Sequence, residues 1–150
     1  MLEGVRSPHP IDVVWEGGKR FRGGLPGGPT LVLDGERKVA PSPVDTLLVA
    51  LATCSGIDVL DILEKRRTPA ESLSVHLEFS RAPTPPRRLT EVQAFFKVVT
   101  ASEKHHVARA VELAFEKYCS VSSSLAPDIV FTWHVEVTPP ASPANAEVPG

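Results

Sequence analysis

Two thiols carry most of the chemistry this sequence offers. Cys54 lies in an apolar run, and Cys119 stands directly before Ser-Val-Ser-Ser-Ser. A free cysteine is among the most buried residue types and packs like a small hydrophobe. As a thiolate it is also a nucleophile. From the residues alone both readings stay open for both positions. If the elements that carry them line one pocket, the pair could cycle between dithiol and disulfide. That chemistry needs an attacking thiolate and a resolving thiol within reach. Two cysteines cannot build a disulfide-rich scaffold, and in a reducing compartment a structural bridge is uncommon.

The other candidate groups offer less. His105 and His106 are adjacent on a predicted helix, so their side chains leave it about 100° apart and chelate poorly together. An exposed polar helix start is expected there. The sequence has no CxxC and no HExxH, and no metal ion is expected. His76 and His134 fall in predicted strands and belong to sheet faces. The glycine pairs at 17–18, 23–24 and 27–28 lack the Gly-Lys-Ser/Thr ending of a phosphate loop and read as turns. The serines at 120–124 lack a G-x-S-x-G context and give no support to a hydrolase.

The elements that must position the thiols follow from periodicity. IDVVWE (11–16) is rich in strand formers and ends at Gly17-Gly18; KRFRGG continues as strand or turn. PTLVLDG (29–35) is a further strand, so an N-terminal antiparallel pair is expected. SPVDTLLVALATCSGIDVLDILEKRR (42–67) is the clearest helix. Ser42 suits the N-cap and Pro43 the first helical position. Asp45 can accept a free backbone N–H and complement the helix dipole. Thr68-Pro69 stops the helix. From Val44 to Cys54 it is apolar on nearly every face, which predicts burial all round. A single small subunit struggles to provide that, whereas a second subunit could. ESLSVHLEFSR (71–81) and TEVQAFFKVVT (90–100) are strands, and SEKHHVARAVELAFEKYC (102–119) is an amphipathic helix capped by Ser102. DIVFTWHVEV (128–137) is a last strand. The order β-β-α-β-β-α-β defines an α+β class with antiparallel sheets.

Length and charge bound the rest. With 150 residues and 42% of them hydrophobic, the chain makes one domain, 1–150. Residues 11–137 are expected to be ordered, with flexible Pro- and Ala-rich ends at 1–10 and 138–150. A formal net charge of −2 argues against a general nucleic-acid binder. No uninterrupted run of about 18 apolar residues occurs, so no bilayer span is expected. The N-terminus lacks the apolar region of a secretory signal, which makes a cytoplasmic location the expectation.

The run SPVDTLLVALATC, with its cysteine eleven positions after the proline, resembles the central helix of the OsmC/Ohr family (osmotically inducible protein C and organic hydroperoxide resistance protein). EKYCSVSSSL (116–125) resembles that family's second-cysteine segment. IDVLDILEKRR and SRAPTPPRRLTEV agree with the segments between. The resemblance runs from about Ile11 to Val137 and is nearest the broad OsmC-like branch. It implies an intertwined α+β homodimer whose long central helices are buried between sheets built by both subunits. It also implies a thiol-dependent peroxidase acting on organic hydroperoxides, with no cofactor. Cys54 would be peroxidatic and Cys119 resolving, with an external dithiol, of lipoyl type or another, restoring both. The alternative within the same fold is a dimer that binds a small ligand or senses redox state without turnover.

The family also holds its thiolate with an arginine and a glutamate. Val44 stands where that glutamate is expected, and the nearby acid is Asp45. Lys19, Arg20 and Arg22 are the candidate cations, with Arg20 preferred for its Arg-Phe context. The chemistry asks for such a cation, because an ordinary thiol with a pKa of about 8.5 is only a few per cent ionised at neutral pH. Asp45 and Cys54 lie about 14 Å apart along a straight helix and on opposite faces. Asp45 would therefore act by orienting the guanidinium of Arg20, from the same or the other subunit.

Overall fold

The computed structural model describes residues 3–141. Of the flexible ends expected at 1–10 and 138–150, residues 1–2 and 142–150 lie outside the described residues, and Thr138 belongs to the last strand. The chain forms two compact units, Met1–Val49 and Ala50–Gly150.

The first unit is a three-stranded antiparallel sheet in the order β1 (Asp12–Gly17), β2 (Arg20–Gly24) and β3 (Thr30–Asp34). The uncertain KRFRGG segment is thus a strand, paired on both sides. Gly17 and Gly18 turn β1 into β2 with φ of +110° and +55°, values that glycine adopts without a Cβ penalty. Val13, Val14, Trp15 and Leu31 leave much of their side chains exposed, with Trp15 63% accessible.

Helix α1 (Pro43–Lys65) starts in the first unit and continues into the second. Its start follows the sequence expectation. The Asp45 N–H donates to Ser42 Oγ at 3.2 Å, and the Ser42 N–H donates to Asp45 Oδ2 at 3.0 Å. This reciprocal pair closes the first turn. The expectation of all-round burial does not hold within one chain. Leu51, Ser55, Val59 and Leu63 form a fully buried stripe at four-residue spacing, while Val49 is 58% and Ile57 52% exposed. A composition test for bilayer spans is one that the core helices of soluble proteins also pass. By length and composition α1 could cross a membrane, with a mean hydropathy of 1.8.

The second unit carries a sheet in the order β4 (Ala70–Arg81), β5 (Leu89–Thr100) and β6 (Val130–Thr138). β4 and β5 pair antiparallel as expected, but β5 and β6 pair in parallel. The intervening helical segment is long enough to carry the chain back before β6 begins, which a parallel pair requires. Val59 and Leu63 of α1 pack on Ala94, Phe96 and Val98 of β5, and on Val107, Ala110 and Val111 of α2 (Lys104–Leu113). Phe115 extends this core by stacking on Trp133, with ring centroids 5.1 Å apart.

The helix predicted over 102–119 divides. α2 begins at Lys104, and its N-cap position is Glu103, without a side-chain cap. Ser102 is not the cap; it is buried, and its N–H donates to Thr100 Oγ1. After Leu113 the backbone widens into a single π-helical turn, Ala114–Tyr118. The Cys119 N–H donates five residues back to the Ala114 carbonyl at 2.7 Å. A short helix, α3 (Ser120–Ser123), follows.

Candidate functional site

Cys54 and Cys119 belong to different elements of the second unit, and the fold brings them together. The two sulfurs and one carboxylate oxygen of Asp58 all lie within 4.8 Å of one another. Cys54 is half-buried on the middle of α1 and Cys119 is fully buried; both are free thiols. Asp58 was not among the residues expected from sequence. It stands one helical turn beyond Cys54, and side chains four apart lie on one helix face. That spacing was the available signal.

The π turn accounts for the placement of Cys119. It ends the amphipathic helix with an extended residue, Cys119, at φ −70° and ψ 107°. From there the thiol caps α3: Cys119 Sγ accepts the Ser122 N–H at 3.4 Å. The Ser122 hydroxyl donates to the Cys119 carbonyl at 3.1 Å. Serines compete with the helix for backbone partners, which favours a break at this point. π turns inside helices recur at functional sites.

The electrostatics of the cluster disfavour charge. Burial pushes the Cys119 thiol above its ordinary pKa; the Ser122 contacts oppose this, and the neighbouring Cys54 reinforces it. Burial also raises the Asp58 carboxyl, with a smaller contribution from the charge of Asp61. Asp58 Oδ2 is buried and, among the described residues, has no hydrogen-bond partner. Asp58 also lines a cleft of about 420 Å³ between α1 and the α2 segment, whose wall includes Ile62, Lys65, Arg66, Arg109 and Tyr118.

The remaining predicted residues lie in the first unit or its end. Asp45 is held by a guanidinium, but that guanidinium is Arg37's and not Arg20's. Arg37 Nε and Nη2 donate to the two Asp45 oxygens at 2.6 and 2.7 Å. This bidentate contact, followed by the Ser42 hydrogen bonds, holds the Asp45 carboxyl well below the usual carboxylate range. Arg37 reaches Asp45 from the tight turn after β3, where its φ is +56°. Asp34 organises that turn by accepting the N–H groups of Glu36, Lys38 and Val39. Arg20 stands opposite Asp34 in the β2–β3 register and lowers its carboxyl pKa slightly, after the larger effect of the backbone donors. Arg22 is engaged by Glu16 at 3.2 Å. Among the described residues, the His105 and His106 ring centroids lie 3.8 Å apart with the rings tilted by 42°, and Glu103 Oε2 lies 3.2 Å from His105 Nδ1. Their rings therefore converge despite the angular spacing expected on a helix.

A long helix on a three-stranded sheet, a second three-stranded sheet, and a thiol pair joining α1 to the end of the α2 segment define a mixed α+β protein of the OsmC-like class. The family model described as "OsmC-like protein" matches residues 34–134, and the chain belongs to the OsmC family. It is 38% identical over 127 residues to Protein YhfA of Escherichia coli K12, across 83% of this chain and 95% of that protein. A hypothetical protein from Aquifex aeolicus VF5 superposes with a TM-score of 0.80 at 24% identity, covering 90% of this chain and 99% of that one. An organic hydroperoxide resistance protein OsmC from Legionella pneumophila superposes with a TM-score of 0.66 at 18% identity, covering 88% and 100%, and shares the fold.

Proposed function

We propose that the protein is a thiol-dependent peroxidase that reduces organic hydroperoxides through Cys54 and Cys119. The observation that carries this reading is the approach of the two sulfurs to within 4.8 Å across separate elements. The Cys54 thiolate attacks the terminal peroxide oxygen and the O–O bond breaks. The alkoxide takes up a proton and leaves as alcohol, and Cys54 becomes a sulfenic acid. Cys119 then attacks the Cys54 sulfur, forming the disulfide and releasing water. An external dithiol reduces the bridge and is itself oxidised to a disulfide. Cys54 suits the first role because it is half-buried, and Cys119 the second because it is enclosed. The cleft beside Asp58 is the proposed approach for substrate.

The same proposal takes the chain to act as one domain in an intertwined cytoplasmic homodimer. The exposed apolar faces of α1 and of β1–β3 support this, since soluble monomers rarely leave such surface bare. Arg20 and Asp45 are proposed to support the Cys54 thiolate. For Asp45 this role runs through the guanidinium it holds, Arg37 in the structure.

The test is consumption of cumene hydroperoxide with dihydrolipoamide as reductant. Turnover is expected in the wild type, with loss in Cys54→Ser and a strong reduction in Cys119→Ser and Arg20→Met. Absence of turnover with any dithiol, in protein that retains both free thiols, would favour the non-catalytic binding dimer.

A further inference from the structure

We propose that the reduced Cys54–Asp58–Cys119 cluster is a binding site for a thiophilic divalent cation of the zinc class. The proposal stands on the cluster's geometry and is independent of peroxide turnover. Two thiolates and a carboxylate are a donor set that zinc accepts, with three protein ligands and one open position. All three donor atoms already lie within 4.8 Å of one another. With zinc–sulfur bonds of about 2.3 Å, two sulfurs on one tetrahedral ion stand about 3.8 Å apart. Sharing an ion thus asks the sulfurs to close by at most about 1 Å, whereas a disulfide at about 2.05 Å asks for more.

Asp58 supplies the second observation. Its Oδ2 is buried without a hydrogen-bond partner among the described residues. A buried acceptor left without a donor is costly, and a bound cation would satisfy it. The supports are also of the right kind. Cys54 and Asp58 sit four apart on one rigid helix, the spacing that places two ligands on a common face. The Ser122 N–H orients Cys119 Sγ from outside the cluster, as outer hydrogen bonds do for metal ligands. The group of exposed Glu103, exposed His105 and half-buried His106 also converges, but among the described residues it leaves no buried acceptor unpaired.

The consequence is competition at one place. An ion held by both sulfurs blocks alkylation of Cys54, and any reagent that removes either thiol expels the ion. The reduced full-length protein is titrated with Zn²⁺ against a chromophoric chelator, and with Cd²⁺ while following the thiolate-to-cadmium absorption. One ion per chain is expected, with the charge-transfer band present and alkylation of Cys54 suppressed until a chelator is added. Prior treatment with N-ethylmaleimide abolishes binding, and so does Cys54→Ser or Cys119→Ser. Asp58→Asn weakens it about tenfold or more, the scale on which metal affinity responds to loss of a supporting group. Its thiol count and far-ultraviolet circular dichroism stay unchanged. Binding of undiminished affinity after alkylation, or its loss in His105→Ala/His106→Ala instead, would overturn the proposal. So would the absence of a charge-transfer band in the fully reduced wild type.

Discussion

Enclosure of Cys119 has a kinetic consequence. Burial raises its pKa, so at neutral pH the resolving sulfur is held as the thiol. Only the thiolate attacks. Condensation with a sulfenic acid on Cys54 should therefore follow the thiolate fraction of Cys119. Below a thiol's pKa that fraction rises tenfold per pH unit, so from pH 6.5 to pH 8.5 the step should accelerate about a hundredfold. The direction is set by the structure: the Ser122 contact favours the thiolate but ranks below desolvation. The perturbation is a pH series on fully reduced protein mixed with a small excess of cumene hydroperoxide. Samples are quenched with an alkylating reagent over milliseconds to minutes, and intact mass separates dithiol, sulfenic acid and disulfide. Fitting the two steps in sequence isolates disulfide formation. A rate that stays flat over these two pH units would refute the reasoning, because the attacking sulfur would then be already ionised or would not be Cys119.

Three further outcomes follow from the packing and the ion pairs. Phe96, buried on β5 in the core of the second unit, should cost about 3–5 kcal/mol when replaced by alanine, read from urea denaturation. Ser42→Ala removes the acceptor of the Asp45 N–H and should destabilise the protein by about 1 kcal/mol in the same assay, with the helix otherwise retained. The carboxyl of Asp45 is held low by Arg37 and Ser42, so its contribution is complete above the ordinary carboxylate pKa of about 3.9 and is lost as pH falls below it. Asp45→Asn should therefore flatten the acid limb of the stability–pH curve between about pH 4 and pH 2, while wild type declines there.

Much of this architecture is written in local patterns. Pro43 after Ser42, with Asp45 following, specifies the start of α1, and the structure places it there. Alternation in 71–81 and 90–100 specifies β4 and β5. What periodicity could not specify is partner choice. β6 alternates in the same way whether it pairs parallel or antiparallel, and the direction is decided by the helical segment before it. The break before Cys119 was also hidden, because AFEKYC continues the amphipathic stripe. The π turn depends on hydrogen bonds that a side-chain pattern does not encode.

At the candidate site the thiol pair was legible through the family resemblance, whereas the partners of the charged groups were not. The sequence offers Lys19, Arg20 and Arg22 as cations, yet Arg37 is the residue that Asp45 binds. Its reach depends on a left-handed turn built by Asp34 accepting three backbone N–H groups. Arg37 is neither glycine nor asparagine, so nothing in its residue type announces that conformation. Asp58 is the opposite case: four residues after Cys54, it was accessible to helical spacing alone.

The central claim is that Cys54 and Cys119 form one redox unit, and peptide mapping after a single oxidation tests it most directly. Reduced protein is treated with one equivalent of cumene hydroperoxide, digested without reductant and analysed by mass spectrometry. The account predicts a cross-linked peptide joining Cys54 to Cys119, lost on addition of dithiol. Recovery of both cysteines as free thiols, or of Cys54 oxidised to sulfinic acid beside an intact Cys119, would contradict it.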